Sequence, residues 1–318
     1  MTSTLLYSEA ARILQYMEMR SISIGNEYFS YTDHVVTLSR ATVSHLMDLL
    51  KKRVALSPYE PTYTMRTYGI PSLVVRFDGV VDENETFQCY EVQAGCSWIG
   101  YAGVANPAFK EIRDTLAKKV WPPIKSLVHP TFKKHDDELW LDSVSVDEAL
   151  RGTDTLMIRG HLFRELTHEK RMALIGRSVK PILDQNSKRY GIELGWWKLT
   201  DDSATLPWNE SFVLKPMRGH GSKDVMIWDP HDRKGRATRT QIEKAMSRHV
   251  SMCMQQLIRP MHTQINGCDY NMILRPFFGY DTARRTWVPM HGVWLARPYP
   301  NLRIHGSSDA ISGPLLMQ

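Results

Sequence analysis

Residues 210–228 read Glu-Ser-Phe-Val-Leu-Lys-Pro-Met-Arg-Gly-His-Gly-Ser-Lys-Asp-Val-Met-Ile-Trp, two apolar runs joined by a polar turn. Phe212, Val213 and Leu214 deliver Lys215, and a second run begins at Val225, a pattern that predicts a β-hairpin. Gly219 and Gly221 allow backbone N–H groups to turn toward an anion with no Cβ in the way, with Ser222 in the same turn. Lys215 adds a compact positive charge suited to phosphate oxygens. The stretch is not a Walker A loop, because it lacks that spacing and sits between strands rather than ahead of a helix. A plain surface turn carries the same local signature, so the rest of the chain has to decide.

A second hairpin is predicted earlier. Leu-Val-Val-Arg-Phe-Asp at 73–78 and Thr-Phe-Gln-Cys-Tyr-Glu-Val-Gln at 86–93 flank an acidic turn at 82–85. The two-residue period of a strand places Arg76 with Asp78 on one face, and Glu91 with Gln93 on one face of the other strand. Two carboxylates and an amide on neighbouring strands suit a hard divalent cation such as Mg²⁺. A solvated sheet face with ordinary ion pairs has the same pattern.

The chain of 318 residues is long enough for a substantial core, and 42% hydrophobic with 23% charged residues is ordinary for a soluble globular protein. No apolar run suits a membrane span, and the helical pattern at 8–19 is broken by Glu9, Arg12 and Glu18, unlike a secretory signal. The expectation is a cytoplasmic protein whose mature chain begins near Met1. Cys89, Cys96, Cys253 and Cys268 form no Cys-x-x-Cys pair, which fits a reducing compartment and buried thiols. A formal charge of +6 is modest for this length and scattered along the chain, which argues little for nucleic acid, and a nucleotide or another polyanionic small molecule explains it equally well.

Helices are expected at 8–19, 40–52, 109–120, 161–175 and 240–249, and from Pro181 onward, with a proline-rich connector at 58–71. Strands are expected around 140–146, 156–159, 251–258, 271–278, 287–296 and 302–305, and residues 94–103 read as a loop of small residues. His135 beside Asp136 and Asp137 reads as a solvated loop, since consecutive residues rarely converge on one ion. His161 and His168 lack the spacing of a His-Glu-x-x-His zinc motif.

Taken together, these segments resemble the ATP-grasp ligases, in the permuted branch that includes the synthetase domain of glutathionylspermidine synthetase. That branch carries Arg-x-Asp and then Glu-x-Asn ahead of its glycine loop. This chain has Arg76-Phe77-Asp78 and Glu91-Val92-Gln93 in that order, with Gln in place of Asn. Lys215-Pro216, Gly219 and Val225 follow the family's loop spacing, although His220-Gly221-Ser222 stands where close relatives have Arg-Glu-Gly. Residues 255–258, Gln-Gln-Leu-Ile, are similar to the hinge whose backbone meets adenine. The likeness covers residues 73–93 and 177–297.

The resemblance implies an α+β, ATP-grasp-like fold of antiparallel sheets with packed helices in permuted order. Three regions follow: 1–130 with the metal-binding hairpin, 131–176 for connection or substrate recognition, and 177–318 with the nucleotide lobes and lid. It implies ATP and Mg²⁺, with Asp78, Glu91 and Gln93 on the metal and Lys180 and Lys215 on phosphates. Gly219, Gly221 and Ser222 belong to the lid, and Gln256, Leu257 and Ile258 to the adenine edge. Arg76 and Arg297 would be catalytic cations. The implied reaction joins a small carboxylate to an amine through an acyl phosphate. A phosphotransferase using the same site, or a nucleotide- or nucleic-acid-binding protein without turnover, are the alternatives.

Overall fold

Two long strands, Cys268–Asp281 (β14) and Thr286–Pro298 (β15), form the middle of the largest sheet. Residues 271–281 are buried throughout, so this strand requires cover on both faces. The computed structural model describes residues 20–24, 27–50, 73–82, 84–94, 98–128, 139–158, 166–175, 177, 197–217, 224–232, 236–248, 252–304 and 309–318. The helices expected at 8–19 and from Pro181, the connector at 58–71, and the His135 and His161 segments lie outside these residues.

The large sheet has nine strands. Along its path lie β1 (Arg20–Ile24), β2 (Glu27–Tyr31), β16 (Ile311–Met317), β15, β14, β4 (Val74–Val81) and β5 (Phe87–Ala94). To the side, β3 (Val36–Leu38) pairs with β16, and β13 (Met261–Ile265) pairs with β14. Pairing is antiparallel except where β16 meets β2 and β3.

One face is covered by α1 (Arg40–Leu49), whose Ser39 cap accepts from the Thr42 N–H and whose Val43 and Leu46 join Phe77, Phe87 and Phe278 in one apolar cluster. A second cluster gathers around α2 (Ile99–Ala105) and α3 (Pro107–Lys119), where the Phe109 and Phe277 rings lie 4.9 Å apart. Asn106 ties α3 to the sheet: its side-chain oxygen accepts from the Phe109 N–H, and its amide donates to the carbonyls of Gly292 and Leu315. The segment read as a loop at 94–103 therefore contains a helix. Gly103 serves close packing, since a Cβ there would occupy the place of the Arg113 guanidinium.

Trp197–Thr200 (β9), Phe212–Pro216 (β10), Met226–Trp228 (β11) and Met252–Gln256 (β12) form a four-stranded antiparallel sheet in the order β11-β10-β12-β9. Phe212, Leu214 and Met252 face Ile242 and Met246 of α6 (Arg239–Met246), a helix opened by a Thr238/Gln241 capping box. The chain passes from this sheet to the large one through residues 257–260, between β12 and β13.

A third sheet is parallel, with Ile124–Val128 (β6) between Ser143–Ser145 (β7) and Thr155–Met157 (β8). β7 and β8 are joined through α4 (Val146–Arg151), a helical connection that lets both run in the same direction on either side of β6. Leu127, Val144 and Leu156 meet Leu174 of α5 (His168–Ile175) in a core of their own.

The chain is thus α+β, with two antiparallel-dominated sheets and few helices. Strands from the first and last expected regions share the large sheet, and β6 from the first pairs with β7 and β8 of the second. Residues 302–304 carry no strand; β16 lies further on, and its internal Gly313-Pro314 has the sequence appearance of a turn. No helix among the described residues is long and apolar enough to cross a membrane.

Candidate functional site

Within the β4–β5 hairpin, Arg76 stands opposite Gln93 and Asp78 opposite Glu91, so the four side chains chosen from sequence are cross-strand neighbours. A register shift follows between Asp78 and Gly79, where a Cβ would strike the Gln88 carbonyl and the Phe87 ring. Glycine permits this irregularity, which shifts the register beside the acidic pair before pairing resumes at Gly79 and Cys89.

Asp78 is held by two arginines. Arg76 Nε lies 2.5 Å from Oδ1 and Nη2 lies 2.9 Å from Oδ2, while Arg275 Nη2 lies 3.2 Å from the same Oδ2. All three residues are buried, with 1% exposure for Arg76, 5% for Asp78 and 3% for Arg275. Burial presses the Asp78 carboxyl upward, but Arg275, Arg76 and Lys215 outweigh it and keep the pKa below the ordinary carboxylate value. Burial brings Arg275 down to about 10, opposed by the charge of Asp78, so it stays cationic at neutral pH.

Lys215 is carried to this hairpin by the second sheet. Its Nζ donates to the Tyr90 carbonyl at 3.1 Å and to Gln255 Oε1 at 3.4 Å, and it sits 4.3 Å from the Trp197 ring centre. Gln255 Nε2 in turn donates to the Cys89 carbonyl at 3.0 Å. The two hairpins singled out by sequence are therefore in direct contact, one residue from Glu91.

Beyond β12, the Leu257 N–H donates to the Ser211 carbonyl, and Ile258 packs against the core of the large sheet. Gln256 is exposed. The crossing is braced by buried Asp229, which accepts from Ser211 Oγ at 3.0 Å and from Arg259 Nη2 at 2.5 Å. Lys180, Gly219, Gly221 and Ser222 lie outside the described residues. Arg297 is engaged elsewhere: both carboxylate oxygens of Asp309 and the Arg303 carbonyl accept from its guanidinium.

Several residues at this junction escaped the sequence reading: Arg275, Trp197 and Trp98, together with the side-chain role of Gln255, which was read only as part of the hinge-like segment 255–258. Arg275 had a signal, being the lone charge inside the apolar run Met-Ile-Leu-Arg-Pro-Phe-Phe at 272–278. Its Cζ lies 4.8 Å from the Trp98 ring centre. Trp98 adopts a left-handed backbone with φ of 79°, uncommon for a bulky side chain. Cys89 and Cys253 are buried, as expected of small hydrophobes, whereas Cys268 is exposed. Burial raises the Cys89 thiol well above its usual value and so removes it as a nucleophile.

The arrangement suits a phosphate chain with a divalent cation. Among the described residues, buried Arg275 Nε and Nη1 lack a hydrogen-bond partner, which fits an anion's oxygens. No group of three or more His, Cys, Asp or Glu side chains that could hold a metal ion occurs among the described residues; the oxygen-bearing side chains that could contribute to one here are Asp78, Glu91 and Gln93. That number of protein ligands suits Mg²⁺ completed by water and phosphate. Asp78 keeps acceptor capacity at Oδ1, where one hydrogen bond is recorded. Comparison with protein-family models and with curated proteins finds no match to this sequence.

Proposed function

We propose that the chain is an ATP-dependent carboxylate–amine ligase of the ATP-grasp type in permuted order. The observation that carries this reading is the bond from Lys215 to the Tyr90 carbonyl, which sets Lys215 beside the acidic pair Asp78 and Glu91. The passage of the chain from one sheet to the next at 257–260, beside Lys215's own sheet, supports an adenine-edge role for Gln256, Leu257 and Ile258.

On this reading Lys215 and Lys180 hold phosphates, while Asp78, Glu91 and Gln93 hold Mg²⁺, which offsets phosphate charge when bound. The substrate carboxylate attacks the γ-phosphorus, ADP leaves, and an amine then displaces phosphate from the acyl phosphate to give an amide. Negative charge gathers on phosphoryl oxygens in the first step and on a tetrahedral oxyanion in the second, so preplaced cations are the natural catalyst for both. Arg76 is the nearest such cation to Asp78, whereas Arg297 would first have to leave Asp309.

The test is a mixed panel of carboxylates and amines incubated with ATP and Mg²⁺, with products read by mass spectrometry. Amide, ADP and phosphate in equal amounts support a ligase. ADP and a phosphorylated product without amide would point to a phosphotransferase, and intact ATP with every pair would overturn both.

A further inference from the structure

A buried guanidinium is costly unless its donors are used, because each idle N–H has given up water without replacement. Arg275 is 3% exposed, yet only Nη2 is engaged, with Asp78 Oδ2 at 3.2 Å and the Ile304 carbonyl at 3.4 Å. Nε and Nη1 are buried and have no hydrogen-bond partner among the described residues. A residue serving only to brace Asp78 would not need these two donors left idle in a dry setting.

The surroundings specify what would satisfy them. Arg76, Arg275 and Lys215 all act on Asp78, and Glu91 is the other carboxylate that acts on Arg275, so three cations face two carboxylates. The missing partner is therefore an anion with several oxygen acceptors, which describes a phosphate group better than a neutral ligand. The Trp98 ring centre lies 4.8 Å from Arg275 Cζ, and Trp98 itself has a left-handed backbone, an uncommon conformation for a bulky residue beside a candidate site.

We infer that Arg275 is a further anion-binding residue of the candidate site, acting with Arg76 to receive oxygens of a phosphate chain beside Asp78. The inference rests on the nucleotide reading for the identity of the ligand, although the binding of a phosphate anion is tested separately from nucleotide turnover.

The probes are inorganic pyrophosphate with Mg²⁺ and a non-hydrolysable ATP analogue with Mg²⁺, titrated calorimetrically into the wild-type protein and into Arg275→Met and Arg275→Lys at constant ionic strength. Arg275→Met is expected to weaken both ligands at least tenfold, and Arg275→Lys to restore part of the loss because it returns the charge. Unchanged affinity in a folded Arg275→Met protein overturns the inference and leaves the nucleotide reading standing. Arg275-dependent pyrophosphate binding with no binding of the analogue sustains the inference and defeats the nucleotide reading. No binding of either probe by the wild type overturns both. A second measurement covers loss of folding in the variants: slowly exchanging arginine Nε–H signals of the wild type, followed by NMR during pyrophosphate titration. Arg76, Arg113 and Arg275 are buried, and shifts of two of the protected arginine signals are expected. Saturation with neither signal moving overturns the inference.

Discussion

Replacing Asp78 with Asn tests the buried charge cluster on which the site is built. The substitution keeps the shape of the side chain and removes its charge, leaving Arg76 and Arg275 facing each other at 1% and 3% exposure. Three guanidinium contacts at 2.5, 2.9 and 3.2 Å lose their anionic acceptor, and the new amide N–H₂ turns a donor toward donors. Breaking a buried ion pair by removing one partner costs about 3–5 kcal/mol, a large share of the roughly 5–15 kcal/mol that holds a typical domain folded. Urea unfolding at neutral pH should show a loss of that size. Adding Arg275→Met to Asp78→Asn should cost less than the two single changes summed, because it removes a charge already stranded. The folded Asp78 pKa is lowered, so its contribution is fully present above the unfolded value of about 3.9 and is lost as pH falls through the folded value. The gap between wild type and Asp78→Asn should therefore hold down to about pH 4 and narrow below it. A loss under about 1 kcal/mol, or a gap independent of acid, would refute the charge cluster.

Lys215→Ala should abolish ATP-dependent ligation while circular dichroism shows an intact fold; turnover near wild type would remove Lys215 from the phosphate site. Gly79→Ala should destabilise by about 1–3 kcal/mol or more, since its Cβ meets the Gln88 carbonyl and the Phe87 ring, and a melting temperature equal to wild type would contradict the register shift drawn at Asp78. Burial lowers the pKa of His34 and His291, and His291 Nδ1 accepts from the Met317 N–H at 3.0 Å. Their contribution is complete above the unfolded value of about 6.5 and declines as pH drops below it, so the urea midpoint should fall from pH 8 to pH 5 less steeply in His291→Gln.

The two hairpins were legible because each is a local pattern: alternating apolar residues on either side of a turn, with charged groups at two-residue spacing. Their cross-strand partners, Arg76 with Gln93 and Asp78 with Glu91, follow from that spacing once a hairpin closes. The role of Arg275 was not legible, because it reaches Asp78 through the pairing of β14 with β4, strands far apart in the chain, and no local period encodes that pairing. Gln255 was hidden for the same reason, since its bond to the Cys89 carbonyl joins two separate sheets. Elsewhere local signals misled. The small residues of 94–103 suggested a loop, and Gly103 instead permits close helix packing.

The central claim is that the lysine-bearing strand and the acidic hairpin serve one nucleotide, and a paramagnetic metal tests it most directly. A non-hydrolysable ATP analogue carrying Mn²⁺, added to isotope-labelled protein, should broaden the amide signals of Asp78, Glu91, Lys215 and Gln255 together, while those of the parallel sheet at 124–157 stay sharp. Broadening confined to one hairpin, centred on the parallel sheet, or absent at saturating analogue would contradict the account.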